Sequence, residues 1–513
     1  MEAVRLSRRT FFKAAAMAGV AAVLPQSPAG VASGAAPGGK RLNFVFILID
    51  DMGWTDLGCY GSRFYETPNI DRLAAQGMRF TQGYAACPVC SPTRASIQTG
   101  KYPARLHLTD FIPGAHRGRL NPAEYLHYLP LEEVTVAEAL KEAGYATGFF
   151  GKWHLGGDDQ YLPDRQGYDV NVGGTGAGSP RSYFSPYQNP KIPDGPAGEY
   201  LTDRLGEEAA KFIEAHRAQP FFVFLSHYAV HTPLQAKKDV VARYEAKAAA
   251  LPQDKPRFMK DLGRDVRQVQ DHAVYAGVVQ GADDSVGCVM KKLDEAGLAD
   301  STVIIFMSDN GGLATSEGTP TANVPLRAGK GWLYEGGIRE PWIVRWPGVV
   351  RPGSTCGEPV MSTDFYPTIL EMAGLPLRPK QHCDGLSIVA LLKESGKPAR
   401  EALYWHYPHY GNQGGAPSGA IRCGDLKLIE WFEDSRVELY NLKDDIGERN
   451  DLAAAMPEKA AELRNKLHEW RRSVDAAMPT PNPDYGKAKT APPKKGAADK
   501  TQVSMLSLDE RDE

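Results

Sequence analysis

Short apolar runs alternate with amphipathic stretches between residues 40 and 374. Apolar runs of this kind are typical of parallel strands buried on both faces, and the amphipathic stretches are typical of the helices that cover them. We therefore predict an α/β fold over this part of the chain, with a large, mostly parallel sheet sandwiched by helices.

Helix boundaries are also visible in this region. Residues 135–138 read Thr-Val-Ala-Glu, a capping box that predicts a helix start, and Gly144 predicts its end. Thr67 and Pro68 predict the start of another helix, which Gly77 ends.

After Gly374 the pattern changes. Strand-like stretches at 426–431 and 437–442 flank the turn residues 433–435, which predicts an antiparallel hairpin, and a helix is expected from about 457 to 474. We predict one large α/β domain over 38–374 and a smaller α+β subdomain with an antiparallel sheet over 375–478.

The two ends of the chain do not fit either domain. Residues 7–13 read Ser-Arg-Arg-Thr-Phe-Phe-Lys and precede an apolar run at 14–24, a pattern that predicts a twin-arginine export signal over 1–37. Residues 479–513 are rich in Pro, Lys and Ala and are predicted to be a flexible tail. No later segment reads as a membrane span, so we expect a periplasmic or secreted protein.

Four predicted strands end in polar side chains able to bind a metal or assist catalysis. The carboxyl ends of parallel strands share one edge of a sheet, where ligands bind, so these side chains are expected to meet. The runs and the residues that follow them are Phe44–Ile49 before Asp50 and Asp51, Phe149–Phe150 before Lys152 and His154, Phe221–Leu225 before His227 and His231, and Val303–Met307 before Asp309 and Asn310.

Asp50, Asp51, Asp309 and Asn310 offer oxygen ligands only. Hard cations prefer oxygen, so Ca²⁺ fits this set better than zinc, and Mg²⁺ or Mn²⁺ stays open because ligand type does not fix the ion's size. The formal net charge of -3 shows no basic excess, which argues against a nucleic-acid partner.

The chain has seven cysteines. Export permits disulfides among the six other than Cys90, but the sequence does not pair them. The spacing of Cys87 and Cys90 also fits a redox pair or half of a zinc site. Both are disfavoured because no second Cys pair of suitable spacing exists and a thioredoxin-like context is missing. A buried, inert thiol at Cys90 is a further alternative.

The run Cys-Ser-Pro-Thr-Arg-Ala-Ser from Cys90 to Ser96, followed by Thr-Gly-Lys-Tyr-Pro at 99–103, resembles the C-x-P-x-R signature of the formylglycine-dependent sulfatases. These are the arylsulfatase-type members of the alkaline-phosphatase superfamily. The similarity extends from Asn43 to about Leu452, and it implies an alkaline-phosphatase-like fold and sulfuric ester hydrolysis.

The resemblance also implies two groups of site residues. Cys90 would be oxidised to formylglycine (3-oxoalanine) by a formylglycine-generating enzyme and would complete a Ca²⁺ shell made by Asp50, Asp51, Asp309 and Asn310. The catalytic set implied by the matching motifs is Cys90, Arg94, Lys152, His154, His231 and Lys330. His227 is interpreted as structural.

The same resemblance assigns roles. One hydroxyl of the aldehyde hydrate attacks sulfur, and the second later expels sulfate by reforming the aldehyde. His154 is expected to be the base of the second step, Lys152, Lys330 and Arg94 to stabilise negative charge, and His231 and Lys330 to serve the leaving oxygen.

The stretch 405–415, Trp-His-Tyr-Pro-His-Tyr-Gly-Asn-Gln-Gly-Gly, is predicted to be a loop whose aromatic and polar groups suit a sugar ring. His406 and His409 are the substrate-binding candidates in it, and an ordinary surface loop is the alternative. Exported members that look similar imply a sulfated carbohydrate as substrate.

Two rival functions stay open at the level of sequence. The first is a phosphonate monoester hydrolase or phosphodiesterase of the same superfamily, which can use a similar nucleophile. The second is an inactive exported carbohydrate-binding homologue. The complete set of Cys, Arg, Lys, His and carboxylate residues argues against the second.

Overall fold

The computed structural model of the protein describes residues 41–114, 116–252 and 254–487. The predicted export signal lies outside these residues, as does the part of the predicted tail from residue 488 onward. The described residues from 41 onward form one compact unit.

The described residues contain seventeen strands and ten α-helices. The strands are β1 Asn43–Ile49, β2 Met78–Tyr84, β3 Leu120–Asn121, β4 Ala146–Gly151, β5 Val170–Val172, β6 Phe221–Ser226, β7 Phe258–Asp261, β8 Arg264–Arg267, β9 Thr302–Ser308, β10 Arg339–Arg345, β11 Ser354–Cys356, β12 Val360–Met361, β13 Leu403–Tyr407, β14 Ser418–Cys423, β15 Leu426–Trp431, β16 Val437–Asn441 and β17 Thr480–Pro481. The helices are α1 Pro68–Gln76, α2 Cys90–Thr99, α3 Val136–Glu142, α4 Leu201–Ala215, α5 Lys238–Ala249, α6 Ala273–Glu295, α7 Glu335–Ile338, α8 Phe365–Met372, α9 Val389–Leu392 and α10 Pro457–Ser473.

The main sheet has nine strands in the order β11-β2-β10-β9-β1-β6-β4-β5, with β12 also paired to β2. Only β10 runs against the others. The four strands predicted to end in functional side chains are neighbours, in the order β9-β1-β6-β4, and all are parallel. The prediction of a mostly parallel sheet is confirmed.

The pairing register places the carboxyl ends of these four strands side by side. Ile49 lies beside Ser308, Leu48 beside Ser226, and Ser226 beside Gly151. The residues that follow each strand therefore leave the sheet at one edge, as expected for parallel strands.

Both faces of the sheet are buried. Along β1, Val45, Ile47 and Ile49 belong to one apolar cluster, while Phe44, Phe46 and Leu48 belong to another on the opposite face. Successive side chains of a strand point to opposite faces, so a strand covered on both sides is apolar at every position. This burial explains the continuous apolar run in the sequence.

The predicted helix boundaries are confirmed for α1 and α3. At α3, the hydroxyl of Thr135 accepts from the backbone N–H of Glu138 at 3.1 Å, and the Glu138 carboxylate accepts from the Thr135 N–H at 2.7 Å. Within the described ranges, no helix has the length and apolar character needed to cross a membrane. All seven cysteines have free thiols.

The C-terminal part contains a four-stranded antiparallel sheet, β13-β14-β15-β16, with α10 packed against it. The predicted hairpin corresponds to β15 and β16. Two details differ from the predictions. Leu403–Tyr407 is a strand rather than part of a loop, and ordered chain continues past residue 478, because Thr480–Pro481 pairs with Leu120–Asn121.

Candidate active site

The site lies at the carboxyl edge of the main sheet, where the nucleophile candidate begins a helix. Cys90 is the first residue of α2 and is 3% exposed, and Arg94 lies one turn further along the same helix. The Cys90 Sγ is 3.3 Å from Nδ1 of His154, which follows β4. Burial raises the pKa of the Cys90 thiol, which keeps it protonated and weakly nucleophilic.

Three buried carboxylates face three buried cations at this edge. Lys152 Nζ is 2.6 Å from Asp50, and Lys330 Nζ is 2.8 Å from Asp51. Asp309 Oδ2 accepts from Arg94 Nε at 3.0 Å and from Nη2 at 2.7 Å. These pairs largely compensate one another, as buried charges must.

Two buried oxygens in the same cluster have no hydrogen-bond partner among the described residues: Oδ1 of Asp50 and Oδ1 of Asn310. Buried polar atoms are rarely left unpaired, and a bound ion is one of the standard partners for such atoms. Burial first, and then the charge of Asp309, raises the pKa of Asp50 well above its ordinary value. A cation at these oxygens would reverse that effect, so the residues fit a hard metal ion.

Asp51 is held by several partners. Burial pushes the pKa of Asp51 upward, but Lys330 and His231 together bring it below its ordinary value. Asn310 Nδ2 donates to Asp51 at 2.8 Å, and the backbone of Asp51 has a left-handed φ of 63°. Backbone strain of this kind at a non-glycine residue is typical of functional sites.

The tautomer of His154 follows from its contacts. Nε2 lies 2.5 Å from the carbonyl oxygen of Ile112, which can only accept, so Nε2 carries the hydrogen and Nδ1 faces Cys90 with its lone pair. Burial and the neighbouring Lys152 lower the pKa of His154 well below 6.5. His154 is therefore a neutral imidazole with an acceptor aimed at residue 90.

His231 follows β6 and lies on the other side of the carboxylates. Its Nδ1 is 2.7 Å from the carbonyl oxygen of Thr232, and its Nε2 is 3.6 Å from Asp51 Oδ2, too far for a hydrogen bond. One of its ring nitrogens, one carboxylate oxygen of Asp50 and one of Asp51 lie within 4.8 Å of one another. Burial and Lys330 lower the pKa of His231 to about 4.

The guanidinium of Arg94 donates its hydrogen bonds to other residues of the protein. Besides Asp309, its Nη1 donates to the carbonyl oxygen of Lys152 at 2.9 Å and to the hydroxyl of Ser226 at 2.7 Å. These contacts tie α2 to the ends of β4, β6 and β9. Arg94 therefore fixes the carboxylate cluster and the Lys152 backbone in position.

A cavity of about 380 Å³ opens onto Cys90, within the size range of small-ligand pockets. It is lined by Cys90, Phe111, Ile112, His116, His154, Gly178, Ser179, His231, Glu317, Lys330, Asn412 and Gln413. Gly178 packs against the His154 ring, where a Cβ would come within 2.7 Å of the ring atoms.

Apart from His227, which was interpreted as structural and whose ring nitrogens are buried without a partner among the described residues, the structure brings together the residues predicted from the strand ends and the Cys90 motif. They include Lys330, whose position the matching motif alone had indicated. It does not bring His406 and His409 into the cavity. His406 is 4% exposed and bonds the carbonyl of Ala477 at 2.8 Å, and His409 is 1% exposed and bonds the hydroxyl of Thr109 at 2.8 Å. Their assignment as substrate ligands is corrected, because each is buried within the fold.

His409 belongs instead to a buried cluster around Asp110. The Asp110 carboxylate accepts from the Phe111 N–H at 2.9 Å and from the Tyr407 hydroxyl at 3.1 Å, and lies 3.9 Å from His409 Nδ1. Burial raises the pKa of Asp110 to about 8 and lowers that of His409 to about 3. Both side chains are therefore neutral at pH 7.

Replacing Asp110 with asparagine is expected to reduce the loss of stability at rising pH. The folded pKa lies above the unfolded value of about 3.9, so between about pH 4 and 8 folding takes up a proton and stability falls by up to about 1.4 kcal/mol per pH unit. Melting temperatures at pH 5, 7 and 9 should fall more steeply for the wild type than for Asp110→Asn. Asp425→Asn, at an exposed carboxylate, is the control. Parallel curves for wild type and Asp110→Asn would contradict the ionisation assigned to Asp110.

Other cavity residues were not identified from the sequence. Phe111, His116 and Glu317 lie on connections that showed no pattern of their own. Asn412 and Gln413 fall in the 405–415 stretch, whose second half does line the cavity. The available signal was the Gly-rich character of that half, which indicated a loop but not which side chains face inward.

Comparisons with solved structures define the fold class of the protein. The structure of Ps i-CgsB in complex with k-i-k-neocarrahexaose superposes with a TM-score of 0.71 and 30% identity over 84% of this chain and 93% of that chain. The phosphonate monoester hydrolase of Agrobacterium radiobacter shares the fold, with a TM-score of 0.59 and 20% identity over 85% of this chain and 96% of that chain. The protein has the fold of the alkaline-phosphatase superfamily.

Sequence comparisons narrow the class to one family. Residues 42–375 match the family model described as Sulfatase, and residues 328–474 match the model described as N-sulphoglucosamine sulphohydrolase, C-terminal. A sulfatase of Formosa agariphila is 33% identical over 84% of this chain and 89% of that protein. Arylsulfatase A of Homo sapiens is 33% identical over 85% of this chain and 89% of that protein. The chain belongs to the sulfatase family and is a sulfatase.

Proposed function

We propose that the protein releases inorganic sulfate from a sulfated carbohydrate, with Cys90 converted to formylglycine and Ca²⁺ bound by Asp50, Asp51, Asp309 and Asn310. One observation carries the proposal. Cys90 lines a cavity beside a neutral His154 and near buried lysines, carboxylates and an amide, and the unpaired oxygens of Asp50 and Asn310 fit a hard cation.

Hydrolysis of a sulfate ester by this mechanism needs groups that the Cys90 thiol does not supply. A hydrated aldehyde at residue 90 supplies one hydroxyl to attack sulfur and a second to release sulfate, and a bound Ca²⁺ supplies positive charge for the sulfate oxygens. Maturation requires a formylglycine-generating enzyme as a partner, and the proposed route to the periplasm or exterior is the twin-arginine machinery.

The protein's own side chains have separable tasks in this proposal. His154 Nδ1 accepts the proton of the hydroxyl that expels sulfate, because its lone pair faces residue 90. Lys152 and Lys330 place fixed positive charge where negative charge gathers, and Arg94 holds Asp309 and the Lys152 backbone in place. His231 and Lys330 serve the leaving oxygen in this proposal, which their shared position in the cavity lining supports.

The substrate class is supported by the relatives. Ps i-CgsB was solved with k-i-k-neocarrahexaose, and N-acetylgalactosamine-6-sulfatase of Homo sapiens is 33% identical over 71% of this chain and 68% of that protein. A cavity of about 380 Å³ suits one sugar unit with its sulfate better than a long oligosaccharide. A sulfated galactose or hexosamine unit is the expected target.

The proposal is tested by mass spectrometry and a substrate panel on protein made together with a formylglycine-generating enzyme. The peptide that contains Cys90 should show the mass loss of a thiol converted to an aldehyde. The protein should hydrolyse an aryl sulfate faster than the matching aryl phosphate and aryl phosphonate ester. Preference for a phosphorus ester would favour the phosphonate hydrolase alternative, and activity with an intact thiol would reject the mechanism.

A further inference from the structure

One wall of the cavity carries a carboxylate that the proposed chemistry does not use. Glu317 is the only Asp or Glu among the described residues that line the cavity. It follows the strand end that supplies Asp309 and Asn310, in a loop where Glu317, Gly318 and Thr319 all have left-handed backbone, with φ of 51°, 84° and 44°. This loop conformation places the side chain beside the site.

Two amide side chains fix one oxygen of Glu317. Oε1 accepts from Asn412 Nδ2 at 2.9 Å and from Gln413 Nε2 at 2.7 Å. No hydrogen bond from the described residues reaches Oε2. A carboxylate has capacity for several donors, so Oε2 is available to a donor on a ligand in the cavity.

The backbone at Gln413 is itself anchored, which fixes this part of the wall. The backbone carbonyl oxygen of Gln413 accepts from Trp332 Nε1 at 3.0 Å and from the Thr315 hydroxyl at 3.3 Å. Gln413 also packs on Gly331, where a Cβ would lie 2.8 Å from Gln413 Cβ. Because Gly331 follows Lys330 in the chain, the wall is held in a fixed relation to a lysine of the reaction site.

The cavity therefore has charges of opposite sign at two places. Lys330 and Glu317 both line the cavity, Lys330 with its Nζ 2.8 Å from Asp51 and Glu317 held by Asn412 and Gln413. A sulfate is attracted to Lys330. A second negative group on the same sugar, if directed at the wall, would meet the Glu317 carboxylate, and like charges brought together at a binding surface weaken binding.

We infer that Glu317 determines specificity: it accepts a hydrogen bond from an uncharged donor on the sugar, such as a hydroxyl, and disfavours a second sulfate or a carboxylate at that position. The inference rests on the proposed carbohydrate sulfatase activity. It assigns as substrate a sugar unit that is neutral apart from the sulfate being removed.

The test compares matched sugars with modified wild-type protein. The probes are the 4-sulfates, 6-sulfates and 4,6-disulfates of galactose and of N-acetylgalactosamine, with sulfate release as the readout. For the sugar and position hydrolysed fastest, kcat/KM of the monosulfate should exceed that of the disulfate by about 10-fold to 100-fold.

The decisive variant is Glu317→Gln, which keeps the size and the Oε1 acceptor but replaces Oε2 with an N–H donor. KM for the monosulfate should rise, and the ratio between monosulfate and disulfate should shrink about tenfold or more. Glu317→Asp, which keeps the charge, should retain the preference. Glu358→Gln, a neutralised carboxylate that lines a different cavity, is the control.

The outcomes separate this inference from the proposed function. Absence of sulfate release from every probe by formylglycine-containing protein would overturn the proposed function. Sulfate release with an unchanged preference in a stably folded Glu317→Gln, or a wild type that favours the disulfates, would overturn the role of Glu317 alone.

Discussion

Cys90→Ala is expected to abolish sulfate release, with kcat lowered by at least about 10⁴-fold, or about 5.4 kcal/mol of transition-state stabilisation. The reason is that the proposed mechanism forms its covalent intermediate at this residue, and alanine offers neither a thiol for maturation nor a hydroxyl for attack. The measurement is the initial rate with an aryl sulfate and with the best sulfated sugar, on protein made with the maturation enzyme. Melting temperature should change little, because alanine differs from the unhydrated formylglycine side chain by only one oxygen atom.

The neighbouring cysteine provides a matched control. Cys87 is buried in the same short motif, and its Sγ faces the carbonyl oxygen of Thr109 at 3.9 Å rather than the cavity. Cys87→Ser is expected to keep sulfate release within about tenfold of the wild type, the scale of a modest structural disturbance. If folded Cys87→Ser loses activity as completely as Cys90→Ala, the result would favour the alternative that Cys87 and Cys90 form a redox pair.

Addition of Ca²⁺ to chelator-treated protein is expected to raise the melting temperature by several degrees. A ligand that binds only the folded state stabilises it by about 2.7 kcal/mol at a concentration a hundred times its Kd. The physical basis is the pair of unpaired buried oxygens on Asp50 and Asn310 and the raised pKa of Asp50. Thermal unfolding across a Ca²⁺ titration measures the affinity without any dependence on catalysis, and a parallel Mg²⁺ titration compares the two ions.

Asp50→Asn and Asn310→Ala should each weaken Ca²⁺ binding by about 10-fold to 100-fold or more, because each removes an oxygen ligand or its charge. Asp50→Asn should also destabilise the metal-free protein, since it leaves Lys152 without its carboxylate partner. Asn450→Ala, at an exposed position, is the control. Equal Ca²⁺ responses in wild type and both variants would place the ion elsewhere.

Much of the fold was predictable because burial on both faces leaves a direct mark on the sequence. The runs that became β1, β4, β6 and β9 are apolar at nearly every position. Parallel strands must then align their carboxyl ends, so Asp50, Asp309, Lys152 and His231 were expected at one edge. Strand order and register were not predictable, because pairings such as Ile49 with Ser308 and Leu48 with Ser226 fix them only in the folded sheet.

The residues of the 405–415 stretch that line the cavity were not predictable in the same way. His406 and Gln413 lie seven residues apart in one aromatic and Gly-rich stretch, yet His406 is on a buried strand and Gln413 lines the cavity. A short polar stretch carries no periodicity that tells which side chains face inward. The sheet β13-β14-β15-β16 determines the direction of each side chain, through pairings such as His406 with Gly419.

The sequence by itself determined the sulfatase motif at Cys90, the mostly parallel α/β architecture and the set of polar groups at the strand ends, because these depend on local pattern and on burial. Only the tertiary structure decided which nitrogen of His154 faces Cys90, which oxygens of the carboxylate cluster stay unpaired, and that Glu317 faces the cavity. These features arise between segments far apart in the chain, where the positions of individual atoms follow from packing and register.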